Sequence, residues 1–115
     1  MCVEETAPGY FLSTSAQAAE IIAAVDAPNL KLMFDCYHLQ IMEGNLAYSL
    51  KELLPIIGHV QIASVPFRQE PDAGEINYPF LFSLLSDLDY RGYVCAEYKP
   101  NSTTDEGLAW MPTSV

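Results

Sequence analysis

Asp35, Gln61 and Glu97 combine a chemically useful side chain with a suggestive spacing. They lie 26 and 36 residues apart, each at or near the C-terminal end of a short apolar run. The runs, Leu30–Phe34, His59–Ala63 and Tyr93–Glu97, have strand length, and each gap is about one strand-plus-helix unit. In parallel α/β folds the C-terminal ends of the strands form the functional rim, so three oxygen donors remote in sequence would converge there. Oxygen donors suit a hard divalent cation such as Mg²⁺ or Mn²⁺ better than zinc. Taken singly, each is as well explained as a polar side chain where a strand meets solvent. Only their common phase points to a shared site.

Other candidates surround these three. His38, three residues past Asp35 where the first strand gives way to a loop, is placed to bond a substrate oxygen or to orient the carboxylate. Its plain alternative is a half-buried loop histidine. Arg68 lies in the long stretch after the Gln61 strand, where a guanidinium fork suits a carboxylate; its alternative is a surface ion-pair partner. Glu70 and Glu75 flank the same loop as pairing partners for Arg68 or as acids near the start of the next helix. His59 begins a strand at the opposite end and reads as structural.

Alternating elements must position these residues. Thr14-Ser15-Ala16-Gln17 is a capping-box pattern, followed by Ala18, Ile21, Ile22 and Val25 as one apolar helical stripe that stops at Asp26–Asn29. A second helix opens at Gly44-Asn45, with Asn45 as its cap, Leu46, Leu50, Leu53 and Leu54 as its buried face, and Pro55 as its close. Residues 64–77 read as a loop. Asn77 caps a third helix with Pro79 in its first turn, striped by Leu81, Leu84, Leu85 and Leu88. A short helix over Thr104–Trp110 is expected last. The order is α-β-α-β-α-β-α, so the strands are parallel with right-handed crossovers.

Three such strands leave long edges exposed, and a complete α/β barrel needs about 250 residues. This chain of 115 residues, opening on a Val3-Glu4 that resembles a strand end, is expected to be a partial barrel. Half of the residues are hydrophobic, which argues against disorder. No apolar run approaches the roughly 18 residues of a membrane span, and no signal peptide is expected. Fifteen acids against five bases give a net charge of −10, unfavourable for phosphate backbones and anionic lipid. Cys2, Cys36 and Cys95 form no CxxC pair; they are expected as reduced thiols of a cytoplasmic protein, with Cys36 and Cys95 as small core residues.

Several segments carry a family resemblance. Pro8-Gly9-Tyr10-Phe11-Leu12, the run from Phe34-Asp35-Cys36-Tyr37-His38 to Leu46, and His59–Ala63 resemble the hydroxypyruvate isomerase family. So do Arg68-Gln69-Glu70-Pro71, Gly74–Pro79 and Glu97-Tyr98-Lys99-Pro100. That family belongs to the xylose isomerase-like TIM-barrel superfamily, and the likeness is colinear over nearly the whole chain. It implies an α/β fold, the C-terminal part of a (β/α)8 barrel, present over residues 1–115 as a single partial domain.

The resemblance also implies interconversion of hydroxypyruvate and tartronate semialdehyde. A divalent cation would stabilise a cis-enediolate as Lewis acid and template while two glutamates shuttle a proton. Position by position, Asp35, Gln61 and Glu97 match metal ligands, Glu97 and Glu4 match the acid/base pair, and His38 and Arg68 match substrate contacts. A small hydroxy-carbonyl acid is the expected partner, with no nucleic acid or membrane, and with self-association through open sheet edges. A ketose epimerase or other sugar isomerase is the alternative reaction, and an inactive chain that only binds or self-associates is the alternative class. The −10 charge disfavours a DNA-repair endonuclease on this scaffold. Three departures stand out: Phe67 before the arginine, expected to crowd the loop, Asn101 where the family tends to have Arg, and the ending Met111–Val115.

Overall fold

In a computed structural model that describes residues 7–111, the chain forms a three-stranded parallel sheet with helices packed on one face. The first helix, α1 (Ser15–Val25), is capped by the Thr14 hydroxyl, which accepts from the Gln17 N–H at 3.2 Å. The expected capping box is shifted by one residue, because the Gln17 side chain accepts from Ser13 and not Thr14. The helix ends at Asp26, whose left-handed backbone turns the chain out. Of its apolar stripe only Ala18 is buried and Ile22 packs partly; Ile21 and Val25 are exposed.

Strand β1 (Leu32–Asp35) runs straight into α2 (Cys36–Met42), a helix that the sequence reading treats as loop. Its signal is masked because the residue that caps it is Asp35, already counted as the strand's end. Gly44 and Asn45 both take positive φ and turn the chain into α3 (Leu46–Leu53). Asn45 is at the capping position, but in the left-handed conformation its side chain makes no cap bond. A 3-10 turn over Leu54–Ile56 carrying Pro55 leads into β2 (Ile57–Ile62). After a long loop, Asn77 caps α4 (Tyr78–Asp87) through its side-chain oxygen, with Pro79 in the first turn. β3 (Val94–Ala96) is short, and the last element is a 3-10 turn, Glu106–Trp110. Gly107 and the brevity of that segment work against a full α-helix there.

The strand order is β1-β2-β3, so each crossover joins neighbours. Phe34 pairs with Val60 and Asp35 with Gln61, after a register shift between Leu32 and Met33. Val60 pairs with Val94, Gln61 with Cys95, and Ile62 with Ala96. Strand side chains alternate between faces. Phe34, Val60 and Ile62 therefore meet α3 and α4 in a core with Leu39, Leu46, Leu50, Tyr78, Leu81 and Leu85. Met33, His59 and Gln61 lie on the other face, where Met33 is 49% exposed and His59 and Gln61 are half-buried. β3 lies at the sheet's edge and is exposed along its length.

That edge corrects one expectation. Cys36 is a core residue, but Cys95 is exposed, because it faces the open side of an edge strand. Phe67 does not crowd its loop either; it points outward and is 76% exposed.

Candidate active site

The sheet places Asp35, Gln61 and Glu97 on one face by backbone register. Asp35 and Gln61 are direct partners across β1 and β2. Glu97 lies two residues beyond Cys95, the partner of Gln61, so alternation returns it to the same face. Its N–H donates to the Ile62 carbonyl at 3.0 Å, which extends the ladder past the last assigned strand residue. The two carboxylates thus stand on the outer strands with the Gln61 amide between them.

Asp35 is buried, and one of its oxygens is already occupied. Its Oδ1 accepts the backbone N–H groups of Tyr37 at 2.9 Å and His38 at 3.2 Å, the N-cap of α2. Its Oδ2 faces His38 Nε2 at 3.9 Å, beyond hydrogen-bond reach. The residue therefore starts a helix with one oxygen and presents the other toward the site. A carboxylate cap is worth about 0.5–2 kcal/mol in helix stability, so part of its role is structural.

His38 lies in the first turn of α2, not in a loop. It is buried, with its ring edge-on to Tyr37 at 5.1 Å between centroids. Burial pushes its pKa below the ordinary histidine value; Asp35 opposes that shift, and Arg68 adds to it. Among the described residues its buried Nδ1 has no hydrogen-bond partner. A neutral imidazole with a free nitrogen is suited to a hydrogen bond with a ligand oxygen.

Arg68 binds neither Glu70 nor Glu75. Its guanidinium donates to Glu97 Oε2 at 2.5 Å and lies over the Tyr37 ring, 5.0 Å from the centroid. Glu75 instead accepts from the Gln40 amide and Glu70 from the Asn101 N–H. The loop that carries Arg68 folds back on itself: Ser64 N–H donates to Gln69 C=O, Arg68 N–H to Ser64 C=O, and Glu75 N–H to Val65 C=O. Gly74, at φ +103°, lies against the Val65 carbonyl, where a β-carbon would collide. Below the loop a small cluster of Tyr37, Ala63 and Val65, with Ile41, Ile76 and Tyr98, forms an apolar floor. The Tyr78 hydroxyl anchors that floor by donating to Ala63 C=O at 2.7 Å and accepting from Ala63 N–H at 3.1 Å.

Tyr37 and Ser64 escape the sequence reading although both shape the site. Tyr37 is two residues past Asp35 and carries no chemistry of its own. Its role arises only because Arg68 folds over it from 31 positions away. Glu4 lies outside the described residues. Among the described residues no three His, Cys, Asp or Glu side chains gather around one point. The proposed set instead counts Gln61 as its third donor. Oxygen-only donors, an Asp35 oxygen free of bonds and an amide oxygen between two carboxylates fit a hard divalent cation in donor chemistry.

Parallel strands, helix crossovers and polar groups at the C-terminal strand ends define a piece of an α/β barrel with its rim. The chain belongs to the xylose isomerase-like TIM-barrel family, whose pattern matches residues 1–114. It is 50% identical over 104 residues to the 2-oxo-tetronate isomerase of Cupriavidus necator, covering 90% of this chain and 40% of that protein. It is 47% identical over 104 residues to the hydroxypyruvate isomerase of Escherichia coli (strain K12), again covering 90% and 40%. The crystal structure of an AP endonuclease, family 2, from Brucella melitensis superposes with a TM-score of 0.92 at 45% identity, over 95% of this chain and 42% of that one. The chain thus spans about two fifths of the length of the curated relatives it matches. Its sheet is a portion of the barrel, and no described helix is long and apolar enough to cross a membrane.

Proposed function

We propose that this chain supplies the cation-binding and carboxylate-binding part of an isomerase that interconverts hydroxypyruvate and tartronate semialdehyde. The observation that carries the reading is the placement of Asp35, Gln61 and Glu97 at successive strand ends on one sheet face. The names of the two isomerase relatives support the reaction class.

In this reading Asp35, Gln61 and Glu97 hold Mg²⁺ or Mn²⁺, which supplies Lewis-acid stabilisation of negative charge on the substrate's carbonyl and hydroxyl oxygens. Glu97 takes a proton from one carbon and returns it to the next, alone or with Glu4 as its opposite number. Arg68 binds the substrate carboxylate through its guanidinium fork. His38, buried and neutral, orients a substrate oxygen. The apolar floor that includes Tyr37 limits water at the reacting carbons. The free thiols Cys36 and Cys95 are consistent with a reducing, cytoplasmic setting. The −10 charge speaks against a polyanionic partner.

The test is conversion of hydroxypyruvate by the chain with Mn²⁺ or Mg²⁺, followed through the aldehyde product. Chelation should abolish turnover, and so should Glu97→Gln. Asp35→Asn is the better probe at its position, because asparagine keeps the helix cap while removing the charge. Turnover that survives chelation or either substitution would sink the proposal. Preferential turnover of 2-oxo-tetronate or of a ketose would move the substrate assignment within the superfamily.

A second reading is favoured by the exposed β3 edge and by Met33 on the open face. Here the chain acts only by associating through that sheet. Size-exclusion chromatography separates the two: a dimer without hydroxypyruvate turnover supports association alone.

A further inference from the structure

The contact between Arg68 and Glu97 joins two residues to which the proposed reaction gives separate jobs. Arg68 is set up for that contact by its backbone. It takes the left-handed conformation at φ 53°, pinned on both sides by its N–H to the Ser64 carbonyl at 2.9 Å and by Lys99 N–H to its own carbonyl at 2.8 Å. The second bond ties the loop directly to the segment after Glu97. The guanidinium is held on its face by Tyr37 and reaches Glu97 with one amino group. Tyr37 follows the cap residue Asp35, so one arginine spans the ends of β1 and β3.

We infer that Arg68 is a latch on Glu97, holding that carboxylate until a small carboxylate anion takes the guanidinium in its place. The inference rests on the proposed cation site. The side chains are 25% and 56% exposed, so the pair is open to exchange, and an ion pair of that exposure is weak. The stacking on Tyr37 keeps the guanidinium in place after Glu97 leaves, ready for another carboxylate. Glu97, once released, has both oxygens free for a cation. Anion binding at Arg68 and cation binding at Glu97 therefore favour each other, and by linkage the coupling is reciprocal. Arg68 is on this account a positioning residue for Glu97 as well as an anion contact.

The experiment is a Mn²⁺ titration of the full chain, read by the electron paramagnetic resonance of free Mn²⁺, for the native sequence and Arg68→Gln. Removing the latch should tighten Mn²⁺ about two- to fivefold, the range of a half-exposed ion pair. Added acetate should tighten Mn²⁺ binding in the native chain relative to Arg68→Gln. A second readout needs no substitution: the Arg68 guanidinium ¹⁵N–¹H signals should move as Mg²⁺ saturates the site. Simple charge repulsion would leave the Arg68–Glu97 bond, and those signals, in place. Equal Mn²⁺ affinities, or unmoved signals at saturating Mg²⁺, would overturn the latch and leave the cation site standing. Failure of both chains to bind Mn²⁺ would overturn the latch together with the reading on which it rests.

Discussion

Strands β2 and β3 begin from similar sequence material and end in opposite environments. His59-Val60-Gln61-Ile62-Ala63 and Tyr93-Val94-Cys95-Ala96-Glu97 are both short apolar runs with one oxygen donor near the end. Val60 is fully buried, whereas Val94, its register partner, is 37% exposed. The difference lies in the neighbours. β2 has a strand on each side and helices α3 and α4 on its face, while β3 has one neighbouring strand and no described element beyond it. Burial is a property of the packed sheet and not of the strand's own residues. The same contrast divides the site: the Asp35 side chain accepts from two backbone donors, whereas that of Glu97 meets one partly exposed guanidinium.

That contrast can be broken experimentally, most strongly through the cysteines. Cys36 is buried beside the core and its thiol is pushed up in pKa by burial and by Asp35, whereas Cys95 is exposed. Cys95 should react with a thiol reagent in the native state, and Cys36 only through opening of the core. The rate ratio should reach about 10³ or more, the scale of a folding equilibrium constant. Comparable rates, measured by mass spectrometry, would show that β1 and α2 are no better protected than the edge.

Phe34→Ala, in the covered core, should cost about 3–5 kcal/mol in urea unfolding. Tyr78→Phe should cost about 1–3 kcal/mol, because it removes a hydroxyl bonded to both backbone groups of buried Ala63. It also alters the alkaline limb. Burial raises the Tyr78 phenol and the Cys36 thiol above their ordinary ranges. Each folded-state group keeps its proton longer than in the unfolded chain. Their stabilisation is complete below the unfolded values and declines as pH rises past about 8.5 for Cys and about 10 for Tyr. Tyr78→Phe should flatten only the upper part of that decline. Val94→Ala on the edge strand should change stability by no more than about 0.5 kcal/mol. A large loss there would mean that β3 is covered in solution.

Much of the frame is legible in the residues themselves. Thr14, Asn77 and Pro79 mark helix starts by local chemistry, and the leucine stripes of α3 and α4 locate their buried faces. α2 is not legible, since a helix that opens inside the strand's last residue leaves no turn to detect. Nor is the lack of a side-chain cap bond at Asn45, which takes the left-handed conformation. The candidate residues Asp35, His38, Gln61, Arg68 and Glu97 are all named by type and spacing, but their partners are not. Charge pattern along the chain suggests Glu70 or Glu75 for Arg68, because loop neighbours are near in sequence; the fold supplies Glu97 from the next strand.

The sequence alone determines the alternation of strands with the three striped helices, the apolar stripes of α3 and α4, the caps at Thr14 and Asn77 and the phase of three oxygen donors, because these depend on neighbours within a few residues. Tertiary structure decides that Tyr37 carries Arg68, that Cys95 is exposed, and that Glu97 pairs with Arg68. Those outcomes depend on which segments the sheet register brings together, and residues as far apart as 37 and 68 carry no local sign of meeting.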